Sequence, residues 1–403
     1  MTDQTGAESI DGFRTTFGIS PRVCAQAPGR VNILGEHTDY NEGWVLPFAI
    51  NQKVAVAAGP SHDGRMTLHS AALNETVSFS TDVGTRADDQ RWQNYVRGIV
   101  AGLGERGVRL SGARLWIGGN LPIGCGLSSS AALSVASTLA LLRLAGTDAD
   151  PLAIARIAKQ AENRFAGTPC GIMDPFVSLH ARAGHAVHLD CRTLRHEQVP
   201  IEFPETEWLV IDSGVRHQLS DGGFAQRVSE CNESAAAIAL REPGVQSLRD
   251  VTPEMVRTRA EGIDPMLVRR ARHVASENER VLRMVEALRQ GRLVDAGTLL
   301  WEGHESLRDD FEVSCPEIEA IISELRSTPG IIGARLTGGG FGGSVLALAQ
   351  LGTGKSIEST WNDGRFTKRL PRLRLVTVSP VECARSQTVA PSNESEPRSV
   401  GNQ

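Results

Sequence analysis

The sequence has no CxxC pair. Its seven cysteines are an odd number and lie far apart, at positions 24, 125, 170, 191, 231, 315 and 383. This pattern argues against a disulfide framework and against a structural zinc site, and it fits a reducing compartment. The N-terminus also lacks a basic segment followed by an apolar one, which is the pattern of a secretory signal. We therefore expect a cytoplasmic protein.

Long apolar runs and a strong charge imbalance are absent as well. The most apolar segment begins at Ala131, is too short to span a bilayer and contains Arg143, so it predicts a buried helix. A net charge of −5 gives no reason to expect nucleic acid or an anionic membrane as a partner. We expect a monomer whose partners are small molecules.

The length of 403 residues suggests two domains. We expect a flexible N-terminal segment at 1–20, a first domain at 21–200, a second domain at 201–385 and a disordered tail at 386–403. Residues around 190–205 are rich in proline and charge, which is typical of a boundary, and the tail lacks apolar periodicity. Helical and strand-like runs are mixed without strict alternation, which predicts an α+β fold.

Several elements can be placed from local signals. One helix begins near Leu127 and ends before Gly146, and another covers 151–165, with Asp150 as N-cap and Pro151 at its first position. A further helical stretch covers 265–290. The runs EWLVID, IIGARLT and SVLALAQ predict strands.

The stretch PIGCGLSSSAAL at 122–133 places glycines and then three serines before the long apolar helix. Glycines let the backbone approach a phosphate closely, and a helix N-terminus offers unpaired N–H groups and a partial positive charge. Serine hydroxyls can bind phosphate oxygens or Mg²⁺. A simple serine N-cap is the alternative, but three consecutive serines exceed what a cap requires. We favour the phosphate-binding interpretation.

Two other glycine-containing stretches resemble nucleotide motifs less well. GGGFGG at 338–343 formally matches GxGxxG, but a strand follows it where a dinucleotide site needs a helix. A tight turn between strands and a close approach to a ligand remain equally good interpretations. GTGKS at 352–356 lacks the first glycine of a Walker A loop, because that position is Ala349, so we expect a surface turn.

Two acidic residues stand out before any family is considered. Asp174 precedes Pro175 and has the pattern of a helix N-cap whose backbone the proline keeps out of the α region. Glu162 lies near the end of the second helix, where a glutamate is usually solvated. The residues alone favour a helix cap for Asp174 and a solvated surface position for Glu162.

The stretch GRVNILGEHTDYNEGW at 29–44 contains Glu36, His37 and Asp39 within four positions. Metal ligands usually take helical spacing or come from several segments, so a metal site is a poor fit. A ligand with many hydroxyls suits this polar turn better, with Arg30 as a permanent cation beside it. A hydrogen-bonded turn capped by Asp39 is the alternative, and local chemistry leaves both open.

These segments together resemble the galactokinases of the GHMP kinase superfamily. GRVNILGEHTDYNEGWVLP resembles the galactokinase signature, LPIGCGLSSSAAL the ATP-phosphate loop and LTGGGFGGSV the third, C-terminal motif. The likeness extends to RWQNYVRGIV, AENRFAGTPCGIMD, DSGVRHQLSDGGF, ARHVASENERVL and SLRDDFEVSCPEI. It covers the chain from about Cys24 to Leu351 in the family's order.

The resemblance implies two α+β domains with the active site in the cleft between them. It implies transfer of the γ-phosphoryl group of ATP to the anomeric hydroxyl of α-D-galactose, with Mg²⁺ as a cofactor. Asp174 matches the catalytic carboxylate and Arg30 its charged neighbour. Ser130 and Glu162 match the positions that hold Mg²⁺, which replaces the structural interpretation of Glu162.

The remaining matches concern the two substrates. The positions that match sugar-binding ones are Glu36, His37, Thr38, Asp39, Gly171, Asp174 and Phe224. The positions that match nucleotide-binding ones are Gly124, Cys125, Gly126, Leu127, Ser128, Ser129, Ser130 and Ala131, and the segment with Trp92 and Tyr95 matches one near the nucleotide site. Phosphoryl transfer depends on positioning and charge neutralisation. A guanidinium favours ionised Asp174, so we expect this residue to orient the sugar hydroxyl and accept its proton late.

Three positions depart from the family pattern. Phe224 replaces the usual Tyr, Pro175 the usual Gln and Ser134 the usual Glu. The missing hydroxyl at Phe224 removes one hydrogen bond to the sugar, worth about 0.5–1.5 kcal/mol. A 1-kinase for N-acetylgalactosamine, arabinose or a uronic acid therefore stays open. A non-catalytic galactose-sensing regulator is a further alternative, but such regulators lose residues of the GLSSSAA segment, which is intact here from Gly126 to Ala132.

Overall fold

The structure is a computed structural model that describes residues 3–87, 92–215, 222–362 and 370–390. Part of the predicted tail, residues 391–403, lies outside the described residues. Among the helices that are described, each is too short or too polar to cross a bilayer.

The described chain mixes helices with mainly antiparallel strands, as expected for an α+β fold. The strands are β1 (Val23–Asn32), β2 (Trp44–Val45), β3 (Pro47–Pro60), β4 (Arg65–Ser70), β5 (Glu75–Ser80), β6 (Ala113–Gly119), β7 (His185–Asp190), β8 (His196–Pro200), β9 (Thr206–Asp212), β10 (Ile331–Thr337), β11 (Ser344–Gln350), β12 (Arg374–Val378) and β13 (Arg385–Thr388). The helices are α1 (Gln4–Phe17), α2 (Gln93–Gly104), α3 (Ser129–Leu144), α4 (Pro151–Ala161), α5 (Met173–His180), α6 (Gly223–Ala239), α7 (Pro253–Arg259), α8 (Pro265–Arg289), α9 (Leu293–Asp309), α10 (Pro316–Ser327) and α11 (Thr353–Asn362).

Three sheets organise these elements. The six-stranded sheet has the order β13-β1-β3-β6-β4-β5, and β4 and β6 are its parallel pair. A four-stranded sheet has the order β10-β11-β9-β12, and a small sheet has the order β2-β7-β8. The first sheet and helix α3 share one hydrophobic core, and the second sheet packs with helices α6, α8 and α10 in another. Trp208 and Val210 of β9 belong to the first core, so the two cores meet along this strand.

Strand β1 is buried along its whole length because helices cover both faces of its sheet. Val23 and Ala25 point into the core shared with α3, while Cys24 between them donates its thiol to the carbonyl of Gly6 in α1. Alternate residues of a strand face opposite sides, so the two helices lie on opposite faces. Strand β1 is therefore a rigid base for the residues at its C-terminal end.

The predicted start of the second helix, with an aspartate cap and a proline at its first position, is confirmed. The side chain of Asp150 accepts the N–H of Ala153 at 3.3 Å, and Pro151 is the first residue of α4. The strands predicted at IIGARLT and SVLALAQ are β10 and β11, which form a hairpin around the glycine cluster. The GTGKS stretch differs from the expected surface turn, because α11 begins at Thr353 within it.

The predictions of a flexible segment at 1–20 and of a disordered tail from residue 386 were wrong for the residues that the structure describes there. Residues 4–17 form α1, which has Asp3 as N-cap, Gly18 in the left-handed conformation at its end and fully buried Phe13 against the sheet. Residues 386–388 belong to β13, which pairs with β1. The presumed boundary at 190–205 contains β8. Pairing across the fold orders these segments, and the division at 200/201 stays a prediction.

Helix α1 gives a direct test of this correction. Phe13 is fully buried and lies against Gly59, where an added Cβ would come within 2.9 Å of the ring. We expect Phe13→Ala to lower the free energy of unfolding by about 3–5 kcal/mol, because a large ring leaves a cavity. Urea unfolding followed by tryptophan fluorescence measures it, with the exposed Thr16→Ala as control. Equal midpoints for the two variants would show that α1 does not pack on the sheet.

Candidate active site

A cavity of about 420 Å³ collects residues from both halves of the chain. One wall is formed by the turn after β1, the loop between β6 and α3, and the start of α5. The opposite wall is formed by Phe224 of α6 and by the glycine cluster at 338–343. The sequence motifs that were separated by up to 300 positions therefore face one another.

The loop between β6 and α3 has the backbone of an anion-binding turn. Gly124 and Gly126 both have φ of 75°, and Ser128 has φ of 60° just before the helix begins at Ser129. Only glycine adopts such angles without strain. The N-terminus of α3 points its free N–H groups and partial positive charge toward the cavity side of this loop, which suits a phosphate.

Arg30 and Asp174 form a bidentate ion pair at the centre of the cavity. Arg30 donates from Nε to Oδ1 and from Nη2 to Oδ2 of Asp174, each at 2.8 Å. Its Nη1 donates to the carbonyl of Gly126 at 2.6 Å, and the hydroxyl of Ser128 donates to Asp174 Oδ2. The carboxylate is therefore oriented by Arg30 and by the phosphate loop at once.

Local structure explains how these two residues meet. The pairing of β1 with β3 shifts between Pro28 and Arg30, and such an irregularity re-aims the side chain that follows it. Asp174 lies inside the first turn of α5, with Ile172 as the N-cap residue, so the predicted N-cap role of Asp174 was wrong. Pro175 is tolerated there because N–H groups of a first helical turn need no intrahelical partner.

The turn after β1 presents a neutral histidine to the cavity. His37 has φ of 63°, and its Nδ1 shares a hydrogen bond of 2.9 Å with the hydroxyl of Tyr40. Its Nε2 is buried and has no hydrogen-bond partner among the described residues. Burial and the neighbouring His273 hold the pKa of His37 well below its usual value. A neutral imidazole with a free nitrogen fits a hydroxyl-bearing ligand.

The carboxylate of Asp39 packs directly against Gly171 and leaves no room for a side chain there. A Cβ at Gly171 would lie 1.8 Å from Oδ2 of Asp39, which no structure tolerates without movement. Oδ1 of Asp39 accepts the N–H of Tyr40 at 2.9 Å, so one oxygen is held and the other faces Gly171. Burial, with a further contribution from Asp174, raises the pKa of Asp39 to about 6.

Glu36 and Thr38 lie deeper than the other residues of the turn. Glu36 is 1% exposed and touches the cavity with a carboxylate that already accepts several protein hydrogen bonds. Thr38 is fully buried, and its hydroxyl reaches the carbonyls of Gly35 at 2.8 Å and Trp44 at 2.7 Å. Thr38 shapes the turn and is not in the cavity wall. Its predicted contact with a sugar is therefore replaced by a structural role.

Ser130, Glu162 and Tyr95 form a second polar group beside the phosphate loop. The hydroxyl of Ser130 donates to Oε1 of Glu162 at 3.0 Å, and Tyr95 is hydrogen-bonded to Ser130. Glu162 begins a π-helical turn after α4, which directs its side chain inward, where it is 6% exposed. Burial, with a further contribution from Asp174, raises the pKa of Glu162 to about 7.

This group fits a magnesium ion held partly by phosphates. Among the described residues, no cluster of three or more His, Cys, Asp or Glu side chains is arranged to hold a metal by itself. Mg²⁺ commonly takes one or two protein oxygens and completes its shell with water and phosphate oxygens, which matches Ser130 and Glu162. The wall also carries Glu36, Asp39, Glu162 and Asp174 against the guanidinium of Arg30, so a divalent cation would offset an excess of acidic groups.

Most of the predicted site residues line the cavity, and the exceptions lie directly behind it. Those in the wall are Arg30, Glu36, His37, Asp39, Gly124, Gly126, Ser128, Ser129, Ser130, Glu162, Gly171, Asp174 and Phe224. Those behind it, all buried, are Thr38, Cys125, Leu127 and Ala131. Trp92 is not in the wall and donates its indole N–H to Glu75 at 2.9 Å.

The sequence interpretation missed or undervalued several residues of the wall. Tyr40 touches the cavity and holds His37, although it lies within the turn that the sequence singled out. Tyr95 lines the cavity beside Ser130, and Thr337 lines it ahead of the glycine cluster. The signal for Tyr40 was present in the motif, whereas the role of Thr337 follows only from the β10–β11 hairpin.

Phe224 and Ser134 are the departures whose surroundings matter. The ring of Phe224 lies 5.5 Å from that of His37 and 5.6 Å from that of Tyr40. The chain has two tyrosines, and both hydroxyls are engaged, Tyr40 with His37 and Tyr95 with Ser130, so neither replaces the hydroxyl missing at Phe224. Ser134 is buried in α3, away from the wall, and its Oγ has no hydrogen-bond partner in the described part of the chain.

Comparison with known proteins agrees with this geometry over most of the chain. Residues 11–60 match the model of the galactokinase galactose-binding signature, residues 94–182 that of the GHMP kinases N terminal domain, and residues 284–364 that of the GHMP kinases C terminal. A galactokinase of Thermotoga maritima is 43% identical over 327 residues, which are 81% of this chain and 89% of that protein. The chain belongs to the galactokinase family.

Other relatives extend the same picture. A galactokinase of Roseiflexus sp. is 41% identical over 85% of this chain and 87% of its own length. The structure of Lactococcus lactis galactokinase complexed with galactose superposes with a TM-score of 0.88 at 28% identity, covering 94% of this chain and 99% of that one. A mevalonate kinase of Methanococcus jannaschii, at 17% identity and a TM-score of 0.65, covers 90% of this chain and 99% of its own, and it shows the shared GHMP kinase fold. The protein is a sugar kinase of two α+β units.

The raised pKa of Glu162 makes stability depend on pH. Since the pKa rises from 4.5 in the unfolded chain to about 7, the native state favours the neutral carboxyl, and this stabilisation is lost as pH rises through 7. The full effect is on the order of 3 kcal/mol. Glu162→Gln stays neutral at every pH. We therefore expect the free energy of unfolding of this variant, relative to that of the wild type, to be higher at pH 8 than at pH 4.5.

Urea unfolding with EDTA at these two pH values measures the difference. Glu261→Gln, at an exposed carboxylate, is the control and keeps the wild-type pH dependence. Parallel stability profiles for Glu162→Gln and the wild type would contradict the prediction.

Proposed function

We propose that the protein transfers the γ-phosphoryl group of ATP to the anomeric hydroxyl of α-D-galactose, giving galactose 1-phosphate and ADP. The observation that carries the proposal is the bidentate pair of Arg30 and Asp174, which joins the polar turn and the phosphate loop in one cavity. The pair lies where a sugar hydroxyl and a terminal phosphate would meet.

The polar turn is suited to hold the sugar. His37 offers its free Nε2, Asp39 a carboxylate oxygen beside Gly171, and Glu36 the edge of a carboxylate at the cavity floor. A pyranose has several hydroxyls that each need a donor or an acceptor, and a site that pairs them rejects analogues lacking them. We propose that these residues set the position of the anomeric hydroxyl against Asp174.

Asp174 then orients the attacking hydroxyl. Its two oxygens already accept hydrogen bonds from Arg30 and Ser128, so the carboxylate is held in one orientation toward the reacting groups. A loose transition state places little charge on the attacking oxygen until late, so the proton moves to Asp174 late as well. Positioning contributes more than basicity in this arrangement.

The phosphate groups are neutralised from the other side of the cavity. The N–H groups at the start of α3 and the hydroxyls of Ser129 and Ser130 are placed to bind phosphate oxygens. Ser130 and Glu162 would hold Mg²⁺, which supplies charge neutralisation on the transferred phosphoryl group. The glycine cluster at 338–343 closes the cavity with backbone instead of side chains.

Phe224 supports a second candidate, a 1-kinase for a related sugar. The wall at this position presents a ring without a hydroxyl, between the rings of His37 and Tyr40. An apolar surface favours a substrate with an apolar group or without a hydroxyl at that place. Galactose remains the first candidate because the rest of the polar wall is complete.

The direct test is ADP release with galactose, N-acetylgalactosamine, arabinose and glucuronate in the presence of Mg²⁺ and ATP. The proposal expects the highest kcat/KM with galactose. A higher value with another sugar would favour the second candidate. Galactose binding without ADP release from any sugar would identify a regulator instead of an enzyme.

Substitution of the central carboxylate tests the proposed chemistry. We expect Asp174→Asn to lower kcat by about 10²–10⁴-fold, because the amide cannot accept the proton. Galactose binding measured by calorimetry should persist, since the other residues of the wall are unchanged. The exposed Asp148→Asn is the control. Near-normal turnover of Asp174→Asn would exclude its assignment as the catalytic carboxylate.

A glycine substitution tests the sugar wall without removing a polar group. We expect Gly171→Ala to raise the KM for galactose at least about tenfold, since its methyl group displaces the carboxylate of Asp39. The KM for ATP should change much less. Gly244→Ala, where an added Cβ meets nothing within 4 Å, is the control. An unchanged KM for galactose would show that Asp39 does not contact the sugar.

A further inference from the structure

A fully buried arginine lies behind the sugar wall. Arg335 on β10 is 0% exposed, and its Nη2 lies 3.1 Å from Oε2 of Glu36. Its Nη1 lies 2.8 Å from Oε1 of Glu277 on α8, which is also 0% exposed. Buried ion pairs are poor sources of stability, because desolvation offsets their attraction and apolar residues pack as well. Their presence directly behind a cavity residue points to a role in function.

Glu36 is held from several sides at once. Its Oε1 accepts the hydroxyl of Thr337 at 3.1 Å and the N–H of Gly338 at 3.0 Å, and its Oε2 accepts the amide of Asn32 at 2.9 Å. Nη2 of Arg335 has no hydrogen-bond partner among the described residues, so Arg335 acts on Glu36 through its charge. The carboxylate of Glu36 is therefore held in one orientation at the cavity wall.

Glu277 fixes the position of the guanidinium. Its Oε1 accepts the N–H of Gly35 at 2.8 Å as well as Arg335, and its Oε2 accepts Nε of Arg280 at 2.7 Å. Gly303 of α9 leaves room for the arginine, since a Cβ there would lie 3.3 Å from Nη1 of Arg335. Glu277 thus holds both Arg335 and the backbone at the start of the sugar-binding turn.

We propose that Arg335 and Glu277 are positioning residues that set the orientation and the ionisation of Glu36, and through it the affinity for the sugar. The proposal rests on the assignment of the cavity as a sugar site. Neither residue lines the cavity, so both act through Glu36. They have opposite effects on its charge, because one is a cation and the other an anion.

The charged groups with the largest effect on Glu36 come from three elements. Arg335 comes from β10, Glu277 from α8 and Arg30 from β1. Burial and Glu277 raise the pKa of Glu36, whereas Arg335, the N–H of Gly338 and Arg30 lower it, and the result is a pKa of about 7. His273, whose Nε2 lies 3.1 Å from the carbonyl of Glu36, has a pKa lowered to about 3 by burial and stays neutral. His37 is neutral for the same reason.

The test compares Arg335→Met with Glu277→Gln over pH 5.5–9. Loss of the cation should raise the pKa of Glu36, so less of the carboxylate is ionised at pH 7. Arg335→Met should therefore raise the KM for galactose about tenfold or more at pH 7, and this KM should return toward the wild-type value as the pH increases. Loss of the anion should lower that pKa, so Glu277→Gln should move the acid limb of kcat/KM for galactose to lower pH. Arg335→Lys, which keeps the charge, should restore part of the affinity.

Two controls separate positioning from general damage. Arg270→Met removes an equally buried arginine that pairs with Glu230 at 2.7 Å and with Glu312 at 2.8 Å and does not touch Glu36. It should lower stability and leave the pH dependence of the galactose KM unchanged. Asp39 and Glu162 also titrate near neutral pH, but they are the same in every variant, and the KM for ATP reports on Glu162 separately.

A direct measurement of the Glu36 pKa tests the proposal without an activity assay. In protein labelled with ¹³C-glutamate, the carboxyl signal that disappears in Glu36→Gln is titrated in the wild type, Glu277→Gln and Arg335→Lys. A lower Glu36 pKa in Glu277→Gln supports the proposal, and an unchanged or higher one overturns it, even where Arg335→Met fails to fold. Absence of galactose turnover by the wild type would instead reject the proposed function, which the titration does not depend on.

Discussion

The bidentate pair between Arg30 and Asp174 is the contact on which the rest of the site depends. Arg30 is at the end of a fully buried strand, and Asp174 is in the first turn of a short helix, so neither backbone can move freely. The third donor of Arg30 is bound to the carbonyl of Gly126, and Ser128 reaches the same carboxylate. Removing either partner of a buried pair leaves an uncompensated charge. The loop between β6 and α3, the proposed catalytic carboxylate and the polar turn after β1 therefore have a single relative arrangement.

Close backbone packing makes this arrangement possible. A Cβ at Gly29 would lie 2.7 Å from the carbonyl of Leu127, and one at Gly338 would lie 3.0 Å from the carbonyl of Gly126. Strand β1 and the glycine cluster thus both touch the loop between β6 and α3 through backbone atoms. Glycine is needed at such contacts because any side chain would separate the segments. The glycine cluster is therefore part of the site wall, and the hairpin turn that it forms is compatible with that role.

Local chemistry made a large part of the fold predictable. Asp150 with Pro151 and Asp264 with Pro265 each mark a helix start by a cap and a proline, and both helices begin at the proline. The elements that sequence reasoning missed are stabilised by distant partners. Strand β13 is ordered by pairing with β1, more than 350 positions earlier, and no local pattern encodes such a pair. Asp174 was predicted to precede the helix because proline usually interrupts one. That rule does not apply to the first helical turn, where Pro175 lies.

The buried Arg335 was visible in the sequence but was not interpreted. An arginine in IIGARLT interrupts a strand whose central residues are buried, and such a residue is almost never fully buried unless it is paired. The pattern signals a buried acid elsewhere in the chain, but it does not say which of the many glutamates is the partner. Only the fold brings Glu36 and Glu277 to it, from positions about 300 and 60 residues away.

The distribution of charge in the cavity bears on the proposed magnesium ion. The wall holds Glu36, Asp39, Glu162 and Asp174 with the guanidinium of Arg30, and burial together with the neighbouring Asp174 raises the pKa values of Asp39 and Glu162. A triphosphate alone would add to this excess and be repelled. Ser130 and Glu162 would hold a divalent cation that offsets the charge of the triphosphate and of Glu162, while the N–H groups at the start of α3 would bind phosphate oxygens. We therefore expect the ionised form of Glu162 to be favoured only in the presence of the cation, which links nucleotide binding to the charge state of the site.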